Sequence, residues 1–229
     1  MEEKQSITNF KQLIRVESNL ERLIDLIIED KGNKQGLHKT KNEYWLKQNI
    51  EVARYPLPVG DYILMNDKVL DVINRKVTRG IDVKKMDFLG TYDVSVDTKK
   101  DMQEIVGNIC GKQHARLRDE VLLAKNNNIQ LYILVENTDG IKSIDDVFRW
   151  HNPRLDIWVQ DKSNVVGFYK NGNPRYARKQ KYPKATKGPQ LAKAMLSMQY
   201  KYGVIFEFCK PSESAERIIE LLNQGNSNE

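Results

Sequence analysis

Val94-Ser95-Val96-Asp97-Thr98-Lys99 reads as a buried β-strand with chemistry at its end. Side chains on a strand alternate between faces. Val94, Val96 and Thr98 therefore point one way, and Ser95, Asp97 and Lys99 point the other. Two valines dock on a core while a carboxylate and an amine project side by side into a cleft. Such an Asp-x-Lys pair suits metal-assisted phosphodiester cleavage. The carboxylate is a hard oxygen ligand for Mg²⁺, the metal polarises the phosphate and activates a bound water, and the lysine can orient that water or offset transition-state charge. The tripeptide alone is common, and an exposed strand end with two solvated charges is the competing reading.

A second acid lies upstream in Leu57-Pro58-Val59-Gly60-Asp61-Tyr62-Ile63-Leu64. Pro58 and Gly60 punctuate a turn, and Tyr62 to Met65 reads as a strand. Asp61 falls where that strand begins and could share a metal with Asp97 if the two strands pair. Gly-Asp-Tyr, then an acidic-x-Lys strand, then a helix resembles the XPF-type structure-specific nucleases of the PD-(D/E)XK, restriction-endonuclease-like superfamily, most of all their stand-alone bacteriophage and prophage members. The resemblance runs from about Leu26 to Leu222. It implies a Mg²⁺ or Mn²⁺ requirement, metal ligation by Asp61, Asp97 and the Thr98 carbonyl, a water-positioning Lys99, and branched DNA (flaps, forks or junctions) as the substrate.

Composition sets the outer bounds. A chain of 229 residues can bury one sizeable core, so one domain over 1–229 is expected. An apolar fraction of 40% and a charged fraction of 30% suit a soluble globular protein. No apolar run could span a bilayer and the charged N-terminus carries no signal peptide, which points away from a membrane and to the cytoplasm; the resemblance implies that of a bacterial or phage-infected host cell. Cys110 and Cys209 read as free thiols, and no Cys/His cluster has zinc spacing. The net charge of +6 permits a polyanionic partner such as DNA.

Residues 1–18 form an N-terminal extension without a clean period. Leu26-Ile27-Ile28 is a candidate first strand ending at Glu29-Asp30. Asp30 matches an acid of the family pattern, but the arginine that should follow falls near Gly32 and is missing or displaced, leaving Lys31 or Lys34 as substitutes. A polar loop with His38 precedes a short helix over Lys41–Gln48, with Tyr44 and Trp45 or Leu46 turned inward. Residues 67–93 depart most from the family: their lysines and arginines, with Gly80 and Gly90, suggest a basic insertion, either a hairpin arm that grips DNA or a merely solubilising surface.

Beyond Lys99, Met102, Ile105, Val106 and Ile109 keep helical spacing. Gln103 stands where eukaryotic relatives carry a further Asp and could still support the site by hydrogen bonding. His114, Arg116 and Arg118 open the next helix, where Arg116 or Arg118 is expected to contact DNA, against a competing role in surface ion pairs. Leu131–Val135 reads as a central strand, and Ser143 as the cap of a short helix. Trp150 and Trp158 read as core residues first and as clamp residues in the alternative. Residues 162–187 form a basic loop in which Arg175, Arg178, Lys179 and Lys181 surround Tyr169, Tyr176 and Tyr182, a mixture suited to single-stranded or splayed nucleic acid. Gly188-Pro189 opens a helix, Val204–Cys209 is a strand, Ser212 or Ser214 caps a last helix, and residues 225–229 form a flexible tail.

The expected fold is α/β, a mixed β-sheet of restriction-endonuclease-like topology flanked by helices on both faces. The expected function is metal-dependent endonuclease action on DNA. The alternative is a catalytically inactive DNA-binding scaffold on the same fold.

Overall fold

The stretch 94–99 forms β4 (Val94–Lys99), an interior strand of a six-stranded mixed sheet. The computed structural model describes residues 26–34, 36 and 38–224. The expected 1–18 extension and 225–229 tail lie outside them. In chain order the elements are β1 (Leu26–Asp30), α1 (Lys39–Lys47), β2 (Glu51–Tyr55), β3 (Tyr62–Leu64), α2 (Asp67–Thr78), β4, α3 (Met102–Ile109), α4 (His114–Asn126), β5 (Gln130–Glu136), α5 (Ile144–Arg149), β6 (Trp158–Phe168), β7 (Pro174–Gln180), α6 (Gly188–Tyr202), β8 (Ile205–Cys209) and α7 (Ser214–Asn223).

The sheet order is β2-β1-β3-β4-β5-β8. β1 pairs in parallel with β2, and β4 with β5 and β5 with β8 likewise. Only β3 runs antiparallel to both of its neighbours. The carboxyl ends of the five parallel strands therefore share one edge, where Asp30, Lys99 and Glu136 all lie.

Strand alternation sorts the core into two layers. Ile28, Ile63, Leu131, Ile133 and Val135 meet α2, α3, α4 and α6 on one face. Ile27, Tyr62, Val96, Tyr132 and Leu134 meet Trp45 of α1 and Ile218 and Leu221 of α7 on the other. Ile133 and Leu134 are consecutive, opposed and both 0% exposed. Covering both faces explains the unbroken apolar run of β5, and each such side chain contributes about 1.5–3 kcal/mol of burial.

The structure corrects several expectations. Residues 67–93 are no hairpin arm. Asn66 caps α2 by accepting from the Val69 N–H at 2.9 Å, and Val69, Val72 and Ile73 bury one face of the helix. A 3₁₀ turn at Lys85–Phe88 then seats Phe88 in the core. Residues 162–187 are not a simple loop, since most of them belong to a two-stranded β6–β7 ribbon. Trp150 is buried as expected and donates to Asp139 at 3.0 Å, whereas Trp158 is half exposed on the ribbon. The last helix has no side-chain cap: Ser214 is its first residue and donates instead to Glu136 Oε1 at 2.8 Å.

Candidate active site

The turn before β3 is built to hold Asp61. Gly60 takes a left-handed φ of +70°, and a Cβ there would lie 2.1 Å from Ser95 Oγ. Only glycine lets the chain pass this close to β4. Ser95 Oγ braces the turn by donating to the Val59 and Tyr62 carbonyls at 2.9 and 3.1 Å. Asp61 is clipped on both sides: its N–H donates to the Val96 carbonyl at 2.8 Å, and its own carbonyl accepts the Asp30 N–H at 2.7 Å. The antiparallel pair Tyr62↔Val96 then sets Asp61 beside Asp97 and Thr98.

β4 supplies the other groups. Asp97 and Lys99 project on one face, 5% and 7% exposed, with Oδ2 and Nζ 2.5 Å apart. Thr98 points to the opposite face, and both its N–H and its hydroxyl donate to Asp61 Oδ2, at 2.8 and 2.7 Å. Asn33 Nδ2 donates to the other oxygen of Asp61 at 3.1 Å. The Asp61 carboxylate is thus fixed in orientation while keeping lone pairs to spare.

Electrostatics at this corner are strained toward negative charge. Burial pushes the Asp97 carboxyl well above the usual carboxylate range, the Lys99 ammonium opposes that push, and Asp61 and Glu120 add to it. For Lys99, burial pulls downward, but Asp97, Asp61 and Glu120 outweigh it and hold the amine protonated. Three carboxylates thus act on one ammonium. Asp61 and Asp97 offer hard carboxylate oxygens of the kind a divalent cation takes, with Asp97 Oδ2 held at 2.5 Å by Lys99 Nζ. Among the described residues no three His, Cys, Asp or Glu side chains form a complete cage. A cation here would take the rest of its shell from water and phosphate, as Mg²⁺ commonly does.

Asp30, expected as possible support, accepts the Leu57 N–H at 2.9 Å and so shapes the approach to the Asp61 turn. Gln103 donates to Asn152 Oδ1 at 2.9 Å, and Asn152 in turn donates to the Thr186 carbonyl at 2.8 Å. Arg118 pairs with neighbouring Asp119 at 2.9 Å on the exposed side of α4, and Arg116 is exposed there too. Arg175, Arg178 and Lys179 lie on β7, with Lys181 just past its end. Lys179 pairs with Asp161 at 3.0 Å.

Sequence reasoning missed three contributors. Glu120 accepts the Gly60 N–H at 2.9 Å from α4 and adds its charge to the corner. The Thr98 side chain orients Asp61. An arginine does reach the end of the first strand, from β2: Arg54 sits opposite Glu29 in the parallel register, with Nε 3.6 Å from its carboxylate, and donates to the Asn33 carbonyl. A register between distant strands leaves no local mark, so only the Glu120 charge could have been flagged from sequence.

No family model matches this chain, and no curated protein matches it. Solved structures do align. XPF from Aeropyrum pernix is 13% identical, with 89% of this chain and 66% of that one covered and a TM-score of 0.46. XPF from Aeropyrum pernix in complex with DNA is 14% identical, with 88% and 65% covered and a TM-score of 0.45. Rv3272 from M. tuberculosis aligns at 14% identity over 87% of this chain and 49% of that one, with a TM-score of 0.17. The chain therefore spans 66% and 65% of the lengths of the two XPF structures. No helix among the described residues is long and apolar enough to cross a membrane.

Proposed function

We propose that this chain is a metal-dependent endodeoxyribonuclease of the XPF type, of the stand-alone phage or prophage kind, acting on branched DNA. The observation that carries the proposal is the buried Asp97–Lys99 pair beside an Asp61 carboxylate fixed by Thr98 and Asn33. Burying two charges costs several kcal/mol per ion before compensation, and apolar residues would pack the same space more cheaply. Retaining the pair at a strand end, with the Asp61 carboxylate as a second acid beside it, fits a catalytic corner.

Asp61 and Asp97 would hold Mg²⁺ or Mn²⁺, with the Thr98 carbonyl as a further ligand. When bound, the metal would polarise the scissile phosphate and lower the pKa of a water. Lys99 supplies a protonated amine held at the floor of the site, placed to orient the attacking water or to offset charge on the phosphorus oxygens. Thr98 and Asn33 keep Asp61 from rotating away. Gly60 and Ser95 keep the turn against β4.

Purified protein is incubated with end-labelled flap, fork, four-way junction and linear duplex DNA in Mg²⁺, Mn²⁺ or EDTA. Metal-dependent cuts near a branch are expected, with Asp97→Ala and Lys99→Ala each slowing cleavage by about 10²-fold or more. Cleavage that persists undiminished in both variants sinks the proposal. The second reading, a DNA-binding scaffold that does not cut, draws on Gln103, which is engaged with Asn152 rather than with the acids. Binding without cutting, equal in wild type and variants, would establish it.

A further inference from the structure

Among the described residues the β6–β7 ribbon shares its sheet with no other strand, and none of its residues is buried. An isolated two-stranded hairpin is marginal at best in water, so this one invites a partner. Its charge says which kind. Residues 158–187 carry eight Lys or Arg and one Asp, a surplus of seven against +6 for the whole chain, so all other residues together sum to −1. The chain's entire positive excess sits on the ribbon and the strap that follows it.

Apolar side chains concentrate on the same ribbon. Among the described residues, twelve large apolar side chains are exposed, and seven of them fall between Ile157 and Tyr182. The most exposed of the seven is Phe168, at 73%, followed by its neighbour Tyr169. Both stand at the tip. The turn beyond them is closed by Tyr169 N–H to the Asn173 carbonyl at 2.8 Å and Gly172 N–H to the Tyr169 carbonyl at 2.9 Å. The seven paired residues of β7 give an arm of roughly 23 Å, cationic along its length and aromatic at its end.

The arm is tied to α3, the helix that follows β4. Its exit at Thr186 is held by Asn152, which accepts from Gln103, four residues beyond Lys99. Its base is pinned where Gln180 donates to the Leu155 carbonyl and Lys181 N–H to the Ile157 carbonyl at 2.7 Å.

We propose that the ribbon is the element that selects branched DNA: its cations hold the backbone phosphates and Phe168 and Tyr169 stack on the unpaired bases where duplex gives way to single strand. Charge alone would bind any duplex, whereas an aromatic tip rewards bases that are already unstacked. The inference rests on the nuclease proposal for its biological sense, but its test reads binding and needs no cutting.

The full-length protein is titrated by fluorescence anisotropy, in EDTA and at one fixed salt concentration, with a fork, its fully paired counterpart and a single strand. The fork carries 2-aminopurine at the first unpaired position. Wild type should bind the fork more tightly than duplex and alter the 2-aminopurine emission. Phe168→Ala/Tyr169→Ala should lose about 10-fold or more on the fork, since stacking is worth about 1–3 kcal/mol per base, leave duplex affinity unchanged, and abolish the emission change. Both side chains are surface-exposed, so the variant keeps the wild-type fold, checked by its melting temperature. Equal fork affinity in variant and wild type overturns the proposal, as does wild-type binding that does not distinguish fork from duplex. If the binding results are as expected but no DNA is ever cut, the nuclease proposal fails and the ribbon's role stands.

Discussion

Gly60 is the residue on which the position of Asp61 depends. Gly60→Ala places a Cβ 2.1 Å from Ser95 Oγ and asks an L-residue to hold φ +70°. Strain of this kind costs about 1–3 kcal/mol, and the clash displaces the turn that carries Asp61. Urea denaturation should show that loss, and cleavage should fall with it. Gly172→Ala is the control: it shares the positive φ but meets no atom within 4 Å, so it should lose only the conformational share, about 1–2 kcal/mol. Equal losses would show that the close approach to β4 does not matter. His38 offers a second test. Burial, then the Lys41 ammonium, holds its imidazole below the ordinary 6.5. The unfolded chain takes up a proton near pH 6.5 while the folded chain resists it, so the stability His38 contributes is present above that pH and lost as pH falls toward the lowered value. His38→Gln should flatten the fall in unfolding free energy between neutral and mildly acidic pH. A slope identical to wild type would contradict the shift.

The elements nearest the chemistry were the most legible in the sequence. β4 and the Gly60 turn declare themselves through strict two-residue alternation and paired turn formers, and α3 through Met102, Ile105, Val106 and Ile109, all buried on one face. In α2 the basic residues and the glycines beyond it mask Val69, Val72 and Ile73, whose spacing is helical and whose burial decides the matter. The ribbon leaves no strand signal for a different reason. Alternation signals a strand only when one face is buried, and here neither is. As an element it makes a salt prediction. Arg178→Ala and Lys181→Ala should each lower the slope of log K for DNA against log salt by about 1. Arg75→Ala, already paired with Asp71 at 3.1 Å on α2, should leave it unchanged. Unaltered slopes in the ribbon variants would take the ribbon out of the phosphate contact.

At the scale of the whole molecule, a mixed sheet covered on both faces followed from the order of apolar runs, and its strand order did not. The crossing of β3 between β1 and β4, and the meeting of Glu29 with Arg54, are contacts between distant segments, fixed only when the layers close. The sheet and the ribbon also differ in how they are joined. Trp158 pairs with Gln180, so the chain leaves the body and returns to it at adjacent points. Cutting out the arm and splicing the two ends would touch no strand of the six-stranded sheet. Gaining, lengthening or losing such an arm is therefore a change evolution can make in one step, leaving the Asp61–Asp97–Lys99 corner untouched. If the proposed roles hold, descendants of one such body could come to recognise different DNA shapes by trading arms.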